Sequence, residues 1–250
     1  MCCFSRPVDT VADTNIYARA SQGGKQYLVY SMKFAAGEDL AMILPIPTPK
    51  GSPEDAVKFI SLEKYPEFFD DMKKGFPEPL PGRGTLGEKT KDDPAPKKAL
   101  AIVEVGDFVA SFVPTMKDFD RLDKEFRLPD GVWAKLPQYK DFGFAVFKLK
   151  KVEKAGSTKK VHPMAFEFPR ADKDLLFFPT VHIHDGSVPA KAKFDHALFC
   201  QGESPAKWEE SPGHPSSFMK VRETKGIVDP DSHVYRKLMK GMFDNKDIGV

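Results

Sequence analysis

Phe142-Gly143-Phe144-Ala145-Val146-Phe147-Lys148-Leu149-Lys150-Lys151-Val152 opens the stretch that decides the fold. Aromatic and β-branched residues dominate it, as expected of a strand on a half-buried pleated surface. Three more runs of the same kind follow: His162 to Phe168, Leu175 to His184 and Phe194 to Cys200. Turn residues separate them, and no helical period intervenes. Upstream, an alternating run near Val8 to Arg19 turns at Gln22-Gly23-Gly24 into Gln26 to Met32, and Leu40 to Leu44 stops at Pro45-Ile46-Pro47-Thr48-Pro49. Ala99 to Val105 and Phe108 to Val113 add two strands around Gly106-Asp107. Strands in blocks, not alternating with long helices, predict an α+β fold around a mainly antiparallel twisted sheet.

The helices are expected to be short. Ser52-Pro53-Glu54-Asp55 carries a capping residue, a proline suited to the first helical position and first-turn acids. Pro66 to Lys74 predicts a second helix, ended by Gly75 and Pro77. Helical pieces are expected near Lys117 to Glu125 and Asp130 to Leu136. Residues 76–97 are rich in proline, glycine and charge and poor in large apolar groups, so they read as a long Pro-rich surface insertion. The chain then divides into one α+β domain over 1–200 and a polar C-terminal extension over 201–250, with a short amphipathic helix near Ser232 to Met242.

Composition excludes several classes of function. With 38 basic and 36 acidic residues there is no net field to draw nucleic acid or anionic lipid. The 21 phenylalanines therefore read as core filling, not as base-stacking platforms. No apolar run reaches the roughly 20 residues that span a bilayer, and the N terminus lacks signal-peptide character, so a cytoplasmic location is expected. Three cysteines make no disulfide framework. Gly-x-Gly-x-x-Gly, Walker and His-Glu-x-x-His patterns are all missing, which removes nucleotide cofactors and helix-borne zinc proteases.

The chemically dense segment is His182-Ile183-His184-Asp185, since four of the six histidines fall between 162 and 200. On a strand, His182 and His184 project to one side about 7 Å apart and can converge on one ion. Phe194 to Cys200 is expected to pair antiparallel with this strand across the 185–192 loop. One register sets His196 beside His182, and the other sets Asp195 there. Hydrophobic matching favours the second, which leaves His196 pointing into the core. The leading expectation is thus a cytosolic metal-binding protein or metalloenzyme, taking zinc, iron or copper through His182, His184 and Asp195 or His196. Cys2 would add a thiolate if the N terminus folds over the site, and an unidentified small molecule would be the partner.

Cys2-Cys3 offers a different chemistry. Removal of Met1 would leave a free α-amine beside a thiol, so the amine can serve as base for its own nucleophile. The Met-Cys start followed by a hairpin reaching Arg19, in Asn15-Ile16-Tyr17-Ala18-Arg19, resembles the N-terminal-nucleophile cysteine amidohydrolases of the choloylglycine hydrolase kind. That resemblance implies catalysis by Cys2 with Arg19 beside it. Ala20-Ser21-Gln22 departs from the Asn and Asp that usually follow the family's arginine. The first fifty residues are also similar to uncharacterised bacterial proteins with clustered N-terminal cysteines and a proline-ended strand like Ile43-Leu44-Pro45-Ile46-Pro47, a resemblance that implies no activity. A non-catalytic interaction domain is the third reading.

Overall fold

Gly23 and Gly24 take left-handed φ values of 71° and 72°, a conformation that costs glycine little, and so the chain reverses at Gln22-Gly23-Gly24 as its sequence predicts. The hairpin around that turn is the middle of a computed structural model that describes residues 3–76, 103–105, 108–128, 131–149, 159–160, 162–183, 186–202 and 204–250.

In chain order the strands are β1 (Cys3–Phe4), β2 (Thr10–Ser21), β3 (Lys25–Ala35), β4 (Leu40–Ile46), β5 (Lys58–Ser61), β6 (Val103–Val105), β7 (Phe108–Val113), β8 (Gly143–Leu149), β9 (Lys159–Lys160), β10 (Met164–Pro169), β11 (Phe177–Phe178), β12 (Lys191–Gln201), β13 (Glu209–Glu210), β14 (Tyr235–Asp244) and β15 (Ile248–Gly249). Five form an antiparallel sheet in the order β1-β4-β8-β7-β6. The larger sheet runs β13-β14-β12-β2-β3-β10-β5, with β9 alongside β3, and β11 pairs β15 as a separate ribbon. Within the larger sheet β12 runs parallel to β2, from His196 opposite Thr14 to Gln201 opposite Arg19.

Three apolar layers explain why so few strands show clean alternation. Between the sheets lie Phe4, Met42, Leu44 and Phe147 from one side and Ile16, Tyr30, Phe166 and Leu198 from the other. The opposite face of the larger sheet is covered by α1 (Phe68–Lys74) and residues 218–234, which bury Tyr17, Val29, Ala165 and Phe199. The far face of the smaller sheet is covered by 3-10 turns carrying Phe119, Leu136 and Tyr139. Every residue of β4 is consequently buried, as expected of a strand covered on both faces. Pro45 is tolerated inside it because β1 pairs only with Met42 and Ile43, leaving Pro45 on an edge that needs no amide there.

The architecture corrects the α+β expectation toward a mainly β fold. Among the described residues the only α-helix is the seven-residue α1, and the larger sheet is mixed because of its parallel pair. Ser52 to Asp55 forms no helix, and the pieces near 117–136 are 3-10 turns. The helix expected near Ser232 to Met242 is instead β14, which pairs along ten residues with β12. Tyr235, Leu238, Met239 and Met242 do have helical spacing, but a period-two reading also fits, with Met239 inward and Leu238, Lys240 and Met242 outward. Gly241 disfavours a helix at that point, and the edge of β12 supplies the ladder that settles the choice. Of the 76–97 insertion, residues 77–97 lie outside the described residues.

Candidate functional site

β12 has β2 on one edge and β14 on the other, so no edge is left for residues 177–183 to pair with. The expected hairpin between Leu175 to His184 and Phe194 to Cys200 therefore does not form. Residues 180–183 are held by the C-terminal turn instead. The N–H of His182 donates to Asn245 Oδ1 at 2.7 Å, and Asn245 Nδ2 returns a bond to the His182 carbonyl at 3.0 Å. Ile183 bridges Cys3, which brings the N-terminal strand alongside.

His182 and His196 nevertheless meet, but as packing groups. Their rings stack with centroids 5.2 Å apart, and Phe194 lies 4.2 Å from the first and 4.9 Å from the second. Both histidines are buried. Asp195 points to the other face of β12, where its Oδ2 accepts the Asp13 N–H at 3.0 Å. His184 and Cys2 lie outside the described residues. Among the described residues no group of three His, Cys, Asp or Glu side chains is placed to hold a metal ion, and this overturns the metal-binding reading. Cys200 sits in the core between the sheets, and burial pushes its thiol up to about 12, well away from thiolate chemistry. His162 forms a contact of 3.2 Å with its neighbour's carbonyl, Pro163 O.

Arg19, the partner the amidohydrolase resemblance gives to Cys2, is engaged elsewhere. Its Nε donates to the Ile227 carbonyl at 2.7 Å and its Nη2 to Gly226 at 2.5 Å, while the guanidinium lies 5.3 Å from the Tyr27 ring centre. Gln201, one strand over, completes the attachment of that segment. Its Oε1 accepts from Tyr17 at 2.6 Å and from the Asp229 N–H at 2.9 Å, and its Nε2 donates to the carbonyls of Asp229 and Ser232. All four hydrogen-bonding positions of a buried amide are thereby used.

The most open chemistry lies on the outer face of the larger sheet, where a cleft of about 460 Å³ runs between α1 and β14. A β-bulge in β2 shapes its floor: the register against β3 shifts between Ala12 and Asn15, and Asp13 takes a φ of 49°. The Asp13 carboxylate receives Lys73 at 2.9 Å and Lys33 at 3.3 Å. Burial pushes its pKa up, but the hydrogen bond and charge of Lys73, the Asn15 amide and the charge of Lys33 outweigh that and hold it below the ordinary value. Thr14, beside it, contributes a buried hydroxyl with no hydrogen-bond partner among the described residues. Arg236 on the far wall is held by Glu209 at 2.7 Å, and Lys74 by Asp71 at 2.5 Å. These groups are arranged as ion pairs around a trough. Asp13-Thr14-Asn15 was the one available signal in the sequence, three consecutive polar residues interrupting an alternating strand. The contributions of Lys73 and Arg236 depend on long-range packing.

The fold defines a class first: a two-sheet, mainly β protein with both sheets covered on both faces. Within that class the chain is similar to the crystal structure of baculovirus P35, with a TM-score of 0.52, 15% identity, and coverage of 99% of this chain and 98% of that chain. A mutated baculovirus P35 after caspase cleavage gives a TM-score of 0.46 at 14% identity, covering 95% of this chain and 99% of that one. The caspase-8/P35 complex gives 0.44 at 14%, covering 96% and 90%. The first likeness shows a shared fold, and the other two scores are too low to add to it. No protein-family model and no curated protein sequence matches the chain.

Proposed function

We propose that this chain is a non-catalytic protein-binding module on a P35-like β scaffold, and that its partner is a protease of the caspase class. The observation that carries the reading is the extent of the likeness to baculovirus P35, nearly end to end in both chains. A mutated P35 has been seen after caspase cleavage, and P35 in a complex with caspase-8. The chain's own chemistry supports a binding role. His182, His196, Cys200 and Gln201 are buried in packing or fully hydrogen-bonded, and the open cleft carries the ion pairs of Asp13 with Lys73, Asp71 with Lys74 and Glu209 with Arg236. A protein partner takes the place of the small molecule expected from the sequence. Among the described residues no helix is long and apolar enough to cross a membrane.

Mixing the full chain with active caspase-8 and resolving the mixture by size exclusion tests this reading. Co-elution of the two proteins is the expected result. Separate elution at every ratio, with the chain intact on a denaturing gel, would overturn it.

A further inference from the structure

β14 is the margin of the larger sheet over most of its length. β13 pairs only with Tyr235 and Arg236, so from Lys237 to Asp244 the outward backbone groups of β14 have no strand partner among the described residues. Such an edge is a template for one more strand. Its side chains are unusual for an edge left to solvent. Leu238 and Met242 are 42% and 64% exposed, two of the three exposed large hydrophobics among the described residues. Lys240 lies between them, and β12 places Ala197 opposite Leu238, Asp195 opposite Lys240 and Lys193 opposite Met242 on the same outer face, with Asp195 itself turned to the Asp13 N–H. Lys193, Lys237 and Lys240 make no ion pair among the described residues, in contrast to Lys73 and Lys74 across the cleft and to Arg236 on β14 itself.

The geometry points to β14 as a strand-addition site for an extended acidic segment of a protein partner. The segment's backbone pairs with Lys237 to Lys240, up to the point where Gly241, at a φ of 115°, bends the edge. Its apolar side chains cover Leu238 and Met242, and its carboxylates meet Lys193 and Lys240. A second copy of this chain is a poor occupant, because antiparallel self-pairing centred on Lys240 sets that lysine against its own equivalent, and like charges directly opposite are destabilising. The site rests on the reading of the chain as a protein-binding module and gives that module a surface and a ligand chemistry.

The test is fluorescence anisotropy of the full chain with a labelled peptide of about ten residues alternating Glu and Val, long enough for one strand. A peptide alternating Lys and Val is the control. The expected result is saturable binding of the acidic peptide, weaker by about tenfold or more for the basic one. The double variant Lys193→Glu/Lys240→Glu, exposed and outside the core, is expected to reverse that preference. Amide exchange should slow at Lys237 to Lys240 when the acidic peptide is bound. Equal affinities, no binding, or a double variant indistinguishable from wild type would overturn the site. A concentration-dependent dimer abolished by Leu238→Asp would also overturn it, by assigning the edge to a second copy. Caspase-8 co-elution without peptide binding sinks this site alone, whereas peptide binding without co-elution sinks only the protease assignment.

Discussion

The hydroxyl of Tyr139 donates to Asp247 Oδ2 at 2.6 Å, deep between the smaller sheet's covering turns and the chain's last turn. The other carboxylate oxygen accepts the N–H groups of Thr180 and Val181 at 2.7 and 3.0 Å. One side chain thus fixes the segment that presents His182. Burial raises the Asp247 pKa above its ordinary value, although its three hydrogen bonds act to lower it. For an acid shifted upward, the contribution to stability is full below the unfolded value and is lost as pH rises through the folded value. Asp247→Asn, which keeps the acceptor for Thr180 and Val181 and offers the Tyr139 hydroxyl an N–H to accept in place of Oδ2, should therefore flatten the decline in stability above about pH 4. Asp247→Ala should cost about 3 kcal/mol by stranding three donors. Urea unfolding at pH 4 and pH 7 checks both, and a decline equally steep in Asp247→Asn would contradict the assignment.

Asp13 gives the opposite sign. Its folded pKa is lowered, so its contribution is present above the unfolded value and disappears as pH falls through the folded one. Its pairs with Lys73 and Lys33 are partly exposed, and Asp13→Asn should cost no more than about 1 kcal/mol at neutral pH while removing the acid-side loss. Asp13→Ala should cost a further 1 kcal/mol or so, because alanine is strained at this left-handed φ. Chemical denaturation of the two variants separates charge from backbone. Identical losses in both would refute the bulge's role.

Gly75 ends α1 against the face of Phe218. A Cβ there would stand 2.5 Å from Phe218 Cζ, inside any real contact. Gly75→Ala should destabilise by about 1–3 kcal/mol through overpacking. Adding Phe218→Leu should recover part of the loss, and a thermal-melt comparison without any recovery would place the strain elsewhere.

Gln201 satisfies four partners at once in a buried position. Gln201→Leu keeps the volume but strands the Asp229 N–H and leaves the Tyr17 hydroxyl only its 3.3 Å contact with the Ile227 carbonyl, and should cost about 2–4 kcal/mol. Hydrogen exchange should rise in residues 226–234 before it rises in β2 or β12. Uniform protection loss across the sheet would mean that Gln201 supports the whole sheet and not the segment clamped by it.

The strands were legible where β-branched and aromatic residues crowd together and a glycine turn punctuates them, as at Gln22-Gly23-Gly24 and from Gly143 to Leu149. The partner of each strand was not. Nothing local in Phe194 to Cys200 says that its neighbours are β2, nearly two hundred residues earlier, and β14, forty later. Once both edges of β12 are filled, the His182–His184 hairpin has nowhere to dock, and a face expected to hold metal becomes a stack of His182, Phe194 and His196. The same long-range choice turned 235–244 from an amphipathic helix into a strand. The polar interruption Asp13-Thr14-Asn15 lies in a run read only as an alternating strand, and Lys73, which pairs with Asp13, comes from a helix sixty residues away.

Isothermal titration of the full chain into active caspase-8 tests the central claim most directly. The account predicts saturable binding heat, reduced in the Lys193→Glu/Lys240→Glu variant. No binding heat at any ratio, from a chain that melts cooperatively, would contradict it.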